Sequence, residues 1–513
     1  MRILLILFYT FGSLTFHFNY LQGAASRPAQ PAGSDLQAIL NAGEDLYLEP
    51  GVVYEISEPL KFTRKGQKIT TLNPKSLDNY ATLRIVDEEC GQLINGNHID
   101  KITLERVKLD GNRYRLSTLS KDLGTPPLVF MGGAEASEQV VRQCVFIAAR
   151  TWSTLKVHEG GSDILVEDNI FIGAGSDVRG NGREYLENPK INGYAWGDGI
   201  SCAAKQTTIR NNLILDPTDV GIVLFGAPGS IAENNVIATV SRESLGGINL
   251  VDPLQFWVID GDKSMIDYRK VLVSNNWIDA RGSRIHMGIP VGAVPWVPSK
   301  KGFTFVGGTV ANNLITGDCA AYGIILSGIT KFNVTGNISQ ASYSGIAEGL
   351  SDKEPPDDPV DFVYNPEVVT ASEIQPEFKA MQRHISHLLR CNHLPKNDRG
   401  YRDYPYGEYE VVGVVKTAFE EMLGRLPHED ELSHYTDWLN KTQTSADNLR
   451  LILMGSPEFL ERHGAIKPHE LQLFREQLWL TAIANVLGEM IASSKWMKAE
   501  ELYKQAWNII TKN

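Results

Sequence analysis

The chain has 513 residues, with 49 Lys and Arg against 61 Asp and Glu and a formal net charge of −12. That balance excludes a general nucleic-acid role, which needs a basic face. Five cysteines (Cys90, Cys144, Cys202, Cys319 and Cys391) are too few and scattered for a disulfide framework, and the length allows more than one domain.

Residues 1–25 read as a secretory signal peptide: basic Arg2, an apolar run from Ile3 to Phe8, and small residues at Gly23-Ala24-Ala25. The expectation is an extracellular, secreted protein with no membrane span after signal removal. Residues 26–45 read as a Pro/Ala/Gly linker and a short capping helix, with Ser34-Asp35 before the run Leu36–Leu40.

From Leu46 a repeat takes over. An Asn pair precedes an apolar residue at Asn211-Asn212-Leu213 and at Asn234-Asn235-Val236, 23 residues apart. Asn275-Asn276, Asn312-Asn313 and Gly336-Asn337 continue it; upstream, Asp168-Asn169 fits, and Gln143-Cys144 is the same rung with Cys in place of Asn. A second phrase, Gly-Ile, recurs at Gly199-Ile200, Gly221-Ile222, Gly247-Ile248, Gly288-Ile289, Gly323-Ile324 and Gly345-Ile346. Between phrases, apolar and polar residues alternate as in strands. A period in the low twenties with short strands predicts coils of a right-handed parallel β-helix over residues 46–350, with the Ile stack inside and the Asn stack in one bend. The pattern resembles the pectin-lyase-like β-helix superfamily, and Leu46–Ile56, with Pro50-Gly51 and Tyr54, resembles the opening coil of its secreted enzymes. That superfamily holds hydrolases, lyases and non-catalytic binders, so the resemblance implies a fold first.

Three insertions interrupt the coils, at about Ser176–Ala195, Pro253–Tyr268 and Pro290–Gly302, and carry aromatic residues including Tyr194, Phe256, Trp257 and Trp296. Residues 351–407 read as a Pro-rich linker and a capping segment, with a helix over Ile374–Leu389. From 408 to 513 the period is helical, over Val411–Leu423, Glu429–Leu439, Ala446–Met454 and from His469 onward. Leu423-Gly424-Arg425-Leu426-Pro427, Trp438-Leu439 and Gly455-Ser456-Pro457-Glu458-Phe459 resemble a small helical module found in secreted multidomain proteins. Asn333, Asn337 and Asn440 head glycosylation-type triplets.

Aligning the coils on Gly-Ile places Asp198 and Asp219 one coil apart, with Arg242 in the next loop and His286 further on. Lys156, Ser201, Val223 and Asn249 share the outward position just after the register point. Arg284 lies beside His286, and Trp196 and Trp296 offer ring faces to a sugar. Two close carboxylates divide into acid and base roles because each disfavours ionisation of the other. The arrangement resembles the polygalacturonase-type glycosidases, where an Asp precedes a Gly and an Asp pair follows 21 residues later. Here Asp198 and Asp219 take two of those places and Val220 stands in the third. The expected function is action on a polysaccharide. Asp198, Asp219, Arg242 and His286 are the candidate catalytic residues, and Lys156, Trp196, Asn249, Arg284 and Trp296 the candidate substrate-binding ones. Hydrolysis would use the two Asp residues. Elimination from a uronate would use Arg242, Lys156 or His286 as base. No cofactor or metal is expected for a hydrolase, and calcium accompanies only the elimination route. The alternative is a non-enzymatic, cell-surface or matrix carbohydrate-binding protein.

Overall fold

A computed structural model describes residues 29–463, apart from 78, 117–118, 120–124, 176–195, 240–243, 281–283, 318–319, 344–345, 348–357, 381, 383, 386–388, 390, 393–407, 443–448, 450–451 and 454–455. The signal-like segment, the first insertion with Tyr194, Arg242, and the helical stretch from His469 lie outside the described residues.

Three sheets wind along one axis. Sheet I starts at Leu46–Leu48, sheet II at Val53–Ile56 and sheet III at Leu60–Lys61; they have 14, 10 and 10 strands among the described residues. Each coil gives one strand to each sheet, and strands of successive coils pair in parallel. In sheet III, Ile200 lies opposite Ile222 and Ile222 opposite Ile248, while Ile289 lies opposite Ile324; all five are buried in one core. This is the right-handed parallel β-helix that the repeat predicts. Leu36–Asn41 forms the expected helix, capped by Asp35 accepting from the Ala38 N–H at 2.9 Å. Its Leu36 and Leu40 close the first coil's open apolar end.

The two Asn of each pair do different work. The first takes the left-handed conformation that turns the chain between sheets I and II: φ is 55° at Asn211, 54° at Asn234 and Asn275, and 56° at Asn312. Asn tolerates that region better than other side-chain-bearing residues. The second is a ladder rung. Asn235 donates from Nδ2 to Asn276 Oδ1 and to the Ile209 carbonyl, both at 3.0 Å, and its Oδ1 accepts from the Asn212 amide and backbone N–H. Every polar atom of a fully buried amide is thereby paired. The ladder runs Asn169, Asn212, Asn235, Asn276, Asn313, Asn337. Cys144 opens it with its N–H on Asn169 Oδ1, as the missing-Asn rung implies. Gln375 closes it. Asn337 is buried and spends its amide on this ladder, which removes it as a glycan acceptor.

The Gly of Gly-Ile has a steric cause. A Cβ on Gly199 would stand 2.6 Å from the Gly221 carbonyl oxygen, and one on Gly221 2.7 Å from the Ile237 side chain. The chain enters sheet III here with no room for a side chain. As a result Asp198 and Ser201, three residues apart, share the sheet's outer face, where Ser201 Oγ reaches Asp198 Oδ2.

The far end differs from expectation in two ways. The solenoid does not stop at Leu350: Val360–Tyr364 is the last strand of sheet III, paired from Tyr322 to Leu326, and Val369–Thr370 and Glu373–Ile374 pair with the sheet I strand Ile329–Thr335. The Pro-rich stretch that reads as an interdomain linker therefore does not end the solenoid, since strands beyond it pair into sheets I and III. Nor do the described residues of Ile374–Leu389 form an α-helix. Pro376–Ala380 is a 3-10 turn that sets Phe378 against Phe362, ring centroids 5.1 Å apart, over the core's open end. Ile385 and Leu389 instead pack with Met287 and Tyr322 on the outer face of sheet III. The apolar residues serve two surfaces, so one helical stripe could not satisfy them.

Beyond the solenoid, Glu408–Leu423, Glu429–Thr442 and Pro457–His463 are helices with their own core around Val415, Phe419, Leu439 and Phe459. Gly424 turns the first helix off at φ 63°. Arg425 then forks to Glu431 at 2.7 Å and Glu458 at 2.8 Å, holding three segments together.

Candidate functional site

The outer faces of the sheets differ in chemistry. On sheet I, one register column runs Glu105, Arg142, Glu167, Arg210, Glu233. Its neighbours pair across the coils, Arg142 to Glu105 at 2.6 Å and Arg210 to Glu167 at 2.7 Å, and the arginines remain partly exposed. That is a solvated surface. Sheet III is buried on both faces over Asp198–Cys202, Val220–Leu224 and Ser244–Leu250. Towards its far end the outer face is apolar, covered by Val294, Ile385 and Leu389. Around Asp198 it is polar instead.

The register of that polar patch is the expected one. Ser153 lies opposite Asp198, and Lys156, Ser201, Val223 and Asn249 follow one another across four coils. Asp219 falls one residue before Val220, which occupies the position opposite Gly246 on the next coil. A chain of hydroxyls ends on Asp198: Ser201 Oγ donates to Asp198 Oδ2 at 2.6 Å and lies 2.7 Å from Ser153 Oγ. All three residues are buried. Three oxygens in the patch, Asp198 Oδ1, Asp219 Oδ1 and Asn249 Oδ1, are enclosed and have no hydrogen-bond partner of good geometry among the described residues, although the Val220 N–H lies near Asp198.

Burial, and then the charge of Asp219, push the Asp198 carboxyl well above the usual carboxylate range, against the Ser201 bond and the Lys156 charge. Burial pushes Asp219 up to about 7. Asp219 keeps part of its surface open although Oδ1 is enclosed. The two therefore favour the neutral form in each other's company, as close carboxyls do.

Lys156 stands beside this pair. It is 6% exposed, and burial holds its amine below the usual lysine range, opposed by Glu159, Cys202, Asp198 and Asp252. Its Nζ sits 4.8 Å from the Phe225 ring centroid, 5.2 Å from Phe256 and 5.8 Å from Trp152. The Pro253–Tyr268 insertion supplies Phe256. Asp252 accepts from the N–H groups of Leu254, Gln255 and Phe256, which fixes the turn. Trp257 then anchors the loop to the Ala203 carbonyl at 2.6 Å.

The other expected residues lie further off. His286 is buried in the Asp219 column but two coils on, roughly 10 Å by strand spacing, beyond direct proton transfer. Arg284 is buried at the turn before it, its carbonyl accepting from Ser244. Trp196 bridges to Gly175 at the edge of the described coil and is partly exposed. Trp296 packs against the apolar cluster of Met287 and Tyr322, partly exposed and away from the carboxyls. His384, in the far capping segment, is exposed and its Nδ1 lies 3.2 Å from Glu367.

Ser153, Ser201, Trp152 and Phe225 are absent from the sequence-derived site. Ser153 and Ser201 were detectable, because they share register columns with Asp198 and Lys156. Among the described residues no group of three His, Cys, Asp or Glu side chains is arranged to hold a metal. The three unpartnered oxygens are of the kind calcium accepts but fall short of its six to eight ligands. Lys156 beside them opposes a cation.

No family model matches the chain, and no curated protein matches it. Solved structures do. An alginate lyase from a Paenibacillus species has 15% identity and a TM-score of 0.36, over 61% of this chain and 96% of its own. A surface adhesin of Streptococcus pneumoniae has 11% identity and a TM-score of 0.35, over 63% and 90%. An endo-xylogalacturonan hydrolase from Aspergillus tubingensis has 12% identity and a TM-score of 0.41, over 70% and 96%. Likeness at these values concerns the solenoid alone, which the strand pairing here establishes by itself.

Proposed function

We propose that this chain is a secreted enzyme that cleaves a polysaccharide laid across the outer face of sheet III, with Asp198 and Asp219 as its acid–base pair. The signal-like start of the chain supports secretion. One observation carries the catalytic assignment: two carboxyls on adjacent coils, each with an enclosed oxygen that has no hydrogen-bond partner of good geometry among the described residues, both driven towards the neutral form. The core does not need them, since Ile200 and Ile222 already fill the inner side. An unpaired buried polar group costs roughly 1–3 kcal/mol, and groups kept at such cost in perturbed states concentrate at working sites. Asp198, which burial and the Asp219 charge hold well above the usual carboxylate range, keeps its proton at neutral pH and gives it to the departing sugar oxygen. Asp219, near 7, takes a proton from the attacking water. The Ser153–Ser201 relay occupies Asp198 Oδ2 and leaves Oδ1 without a partner among the described residues.

The test is a panel of neutral and acidic polysaccharides assayed for new reducing ends and for the absorbance of unsaturated uronates. Hydrolysis gives the first without the second. Asp198→Asn and Asp219→Asn should each lower turnover by about 10²–10⁴-fold, the usual scale for lost acid–base assistance. Unsaturated products would overturn the hydrolytic roles. Glycan binding without any product would leave a carbohydrate-binding protein.

A further inference from the structure

Lys156 is a buried cation that no carboxylate among the described residues bonds to. Among the described residues its ammonium makes no hydrogen bond and no ion pair, and rings of Trp152, Phe225 and Phe256 lie around it at 4.8–5.8 Å. The nitrogen is not fully enclosed, although the residue is more than nine-tenths buried. Elsewhere this fold answers its partly buried charges directly: Glu105 is met by Lys68, Arg106 and Arg142, and Asp110 by Arg84. Packing does not explain the exception, because a methionine would fill the same box without the cost of desolvating a charge. Cation–π contact compensates part of that cost and keeps the charged form accessible.

The location supplies the purpose. Lys156 and Ser201 are register partners on adjacent strands, and Ser201 holds Asp198. Lys156 therefore stands about one strand spacing, 4.8 Å, from the residue that holds Asp198. We propose that Lys156 and its three rings form a subsite for an acidic sugar, the carboxylate seated on the ammonium and the ring's apolar face against the aromatic side chains. The substrate is then a uronate-containing polysaccharide, bound with the acidic residue beside the scissile bond. A carboxylate completes what the ammonium lacks, and sugar C–H faces suit the surrounding rings. Glu159, Asp198, Asp252 and Cys202 are the groups whose charges reach Lys156, and none bonds to it. This inference rests on the polysaccharide reading and adds its chemical class.

The experiment compares uronate-containing glycans with the same glycans after carboxyl reduction. Affinity is measured in the Asp219→Asn background, so that binding is read without turnover. The acidic forms should bind more tightly, with an advantage that shrinks as salt is added. Lys156→Met should weaken acidic glycans by about 10- to 100-fold, the range of one charge-assisted bond, and leave the reduced ones unchanged. Lys156→Arg, which keeps the charge, should retain the preference. Equal losses for both glycan forms would overturn the subsite and mark Lys156 as structural. The two readings fail separately. Cleavage of a neutral glycan, unaffected by Lys156→Met, removes the subsite and keeps the enzyme. Charge-selective binding without wild-type product removes the enzyme and keeps the subsite.

Discussion

At the scale of single residues, the site is a set of polar groups whose environments disagree with their charges. That disagreement is measurable as stability. The Asp219 carboxyl is raised to about 7 by burial, so its neutral form is the one that folding favours. Its contribution is fully present below the ordinary carboxylate range and is lost as pH rises through about 7. Asp219→Asn is neutral throughout. It should therefore raise the urea midpoint at pH 8 and change little near pH 4; equal shifts at both would show that ionisation is not at issue. Activity carries the opposite sign. Turnover needs Asp219 ionised, so kcat/KM should climb through about pH 7 and fall only above the raised Asp198 value. A plateau down to pH 5 would assign the base elsewhere. Asp198, Asp219, Lys156 and Asn249 were legible because Gly-Ile fixes the register to the residue. The rings around Lys156 were not. Phe256 arrives through a turn built by Asp252, and no periodicity encodes which way an insertion folds back.

At the scale of elements, the Asn ladder is the feature most completely written in the sequence. One phrase specifies both a left-handed turn residue and a buried rung, and even the Cys144 rung follows from its place in the series. Asn235→Leu keeps the volume but leaves the Asn212 N–H groups and the Ile209 carbonyl without partners. A cost on the order of 1–3 kcal/mol for each such group should show as a lower urea midpoint. An unchanged midpoint would contradict a cooperative ladder. The end of the ladder was not legible. Gln375 does the work of Asn with a longer side chain and comes after a Pro-rich stretch of sequence, so neither residue type nor spacing marks it. The far cap was misjudged for a related reason: Phe378 and Ile385 have helical spacing but serve the core's open end and an outer face respectively.

At the scale of the molecule, a solenoid provides rigid, evenly spaced columns, and chemistry needs only that a few outward positions change character. Sheet I uses its outer column for paired charge, and sheet III turns from apolar cover to unpaired oxygens and a caged lysine within a few coils. The helical segment from Glu408 has its own core. A chain ending at Asn392 keeps the last coil, the Gln375 rung and Phe378, and should stay folded and active. One ending at Asp352 loses all three and should aggregate or melt earlier, because an uncapped solenoid end exposes paired edges and core. Equal behaviour of the two would place the end of the solenoid back at Leu350. The claim on which everything turns is that Asp198 and Asp219 act as one acid–base unit on a polysaccharide. It is tested most directly by turnover of the Asp198→Asn, Asp219→Asn double variant beside the two singles, on whichever glycan the wild type cleaves. Groups that share one step are strongly non-additive, so the double variant should be about as slow as the worse single. Multiplying losses, or a wild type that releases no product from any glycan, would contradict the account.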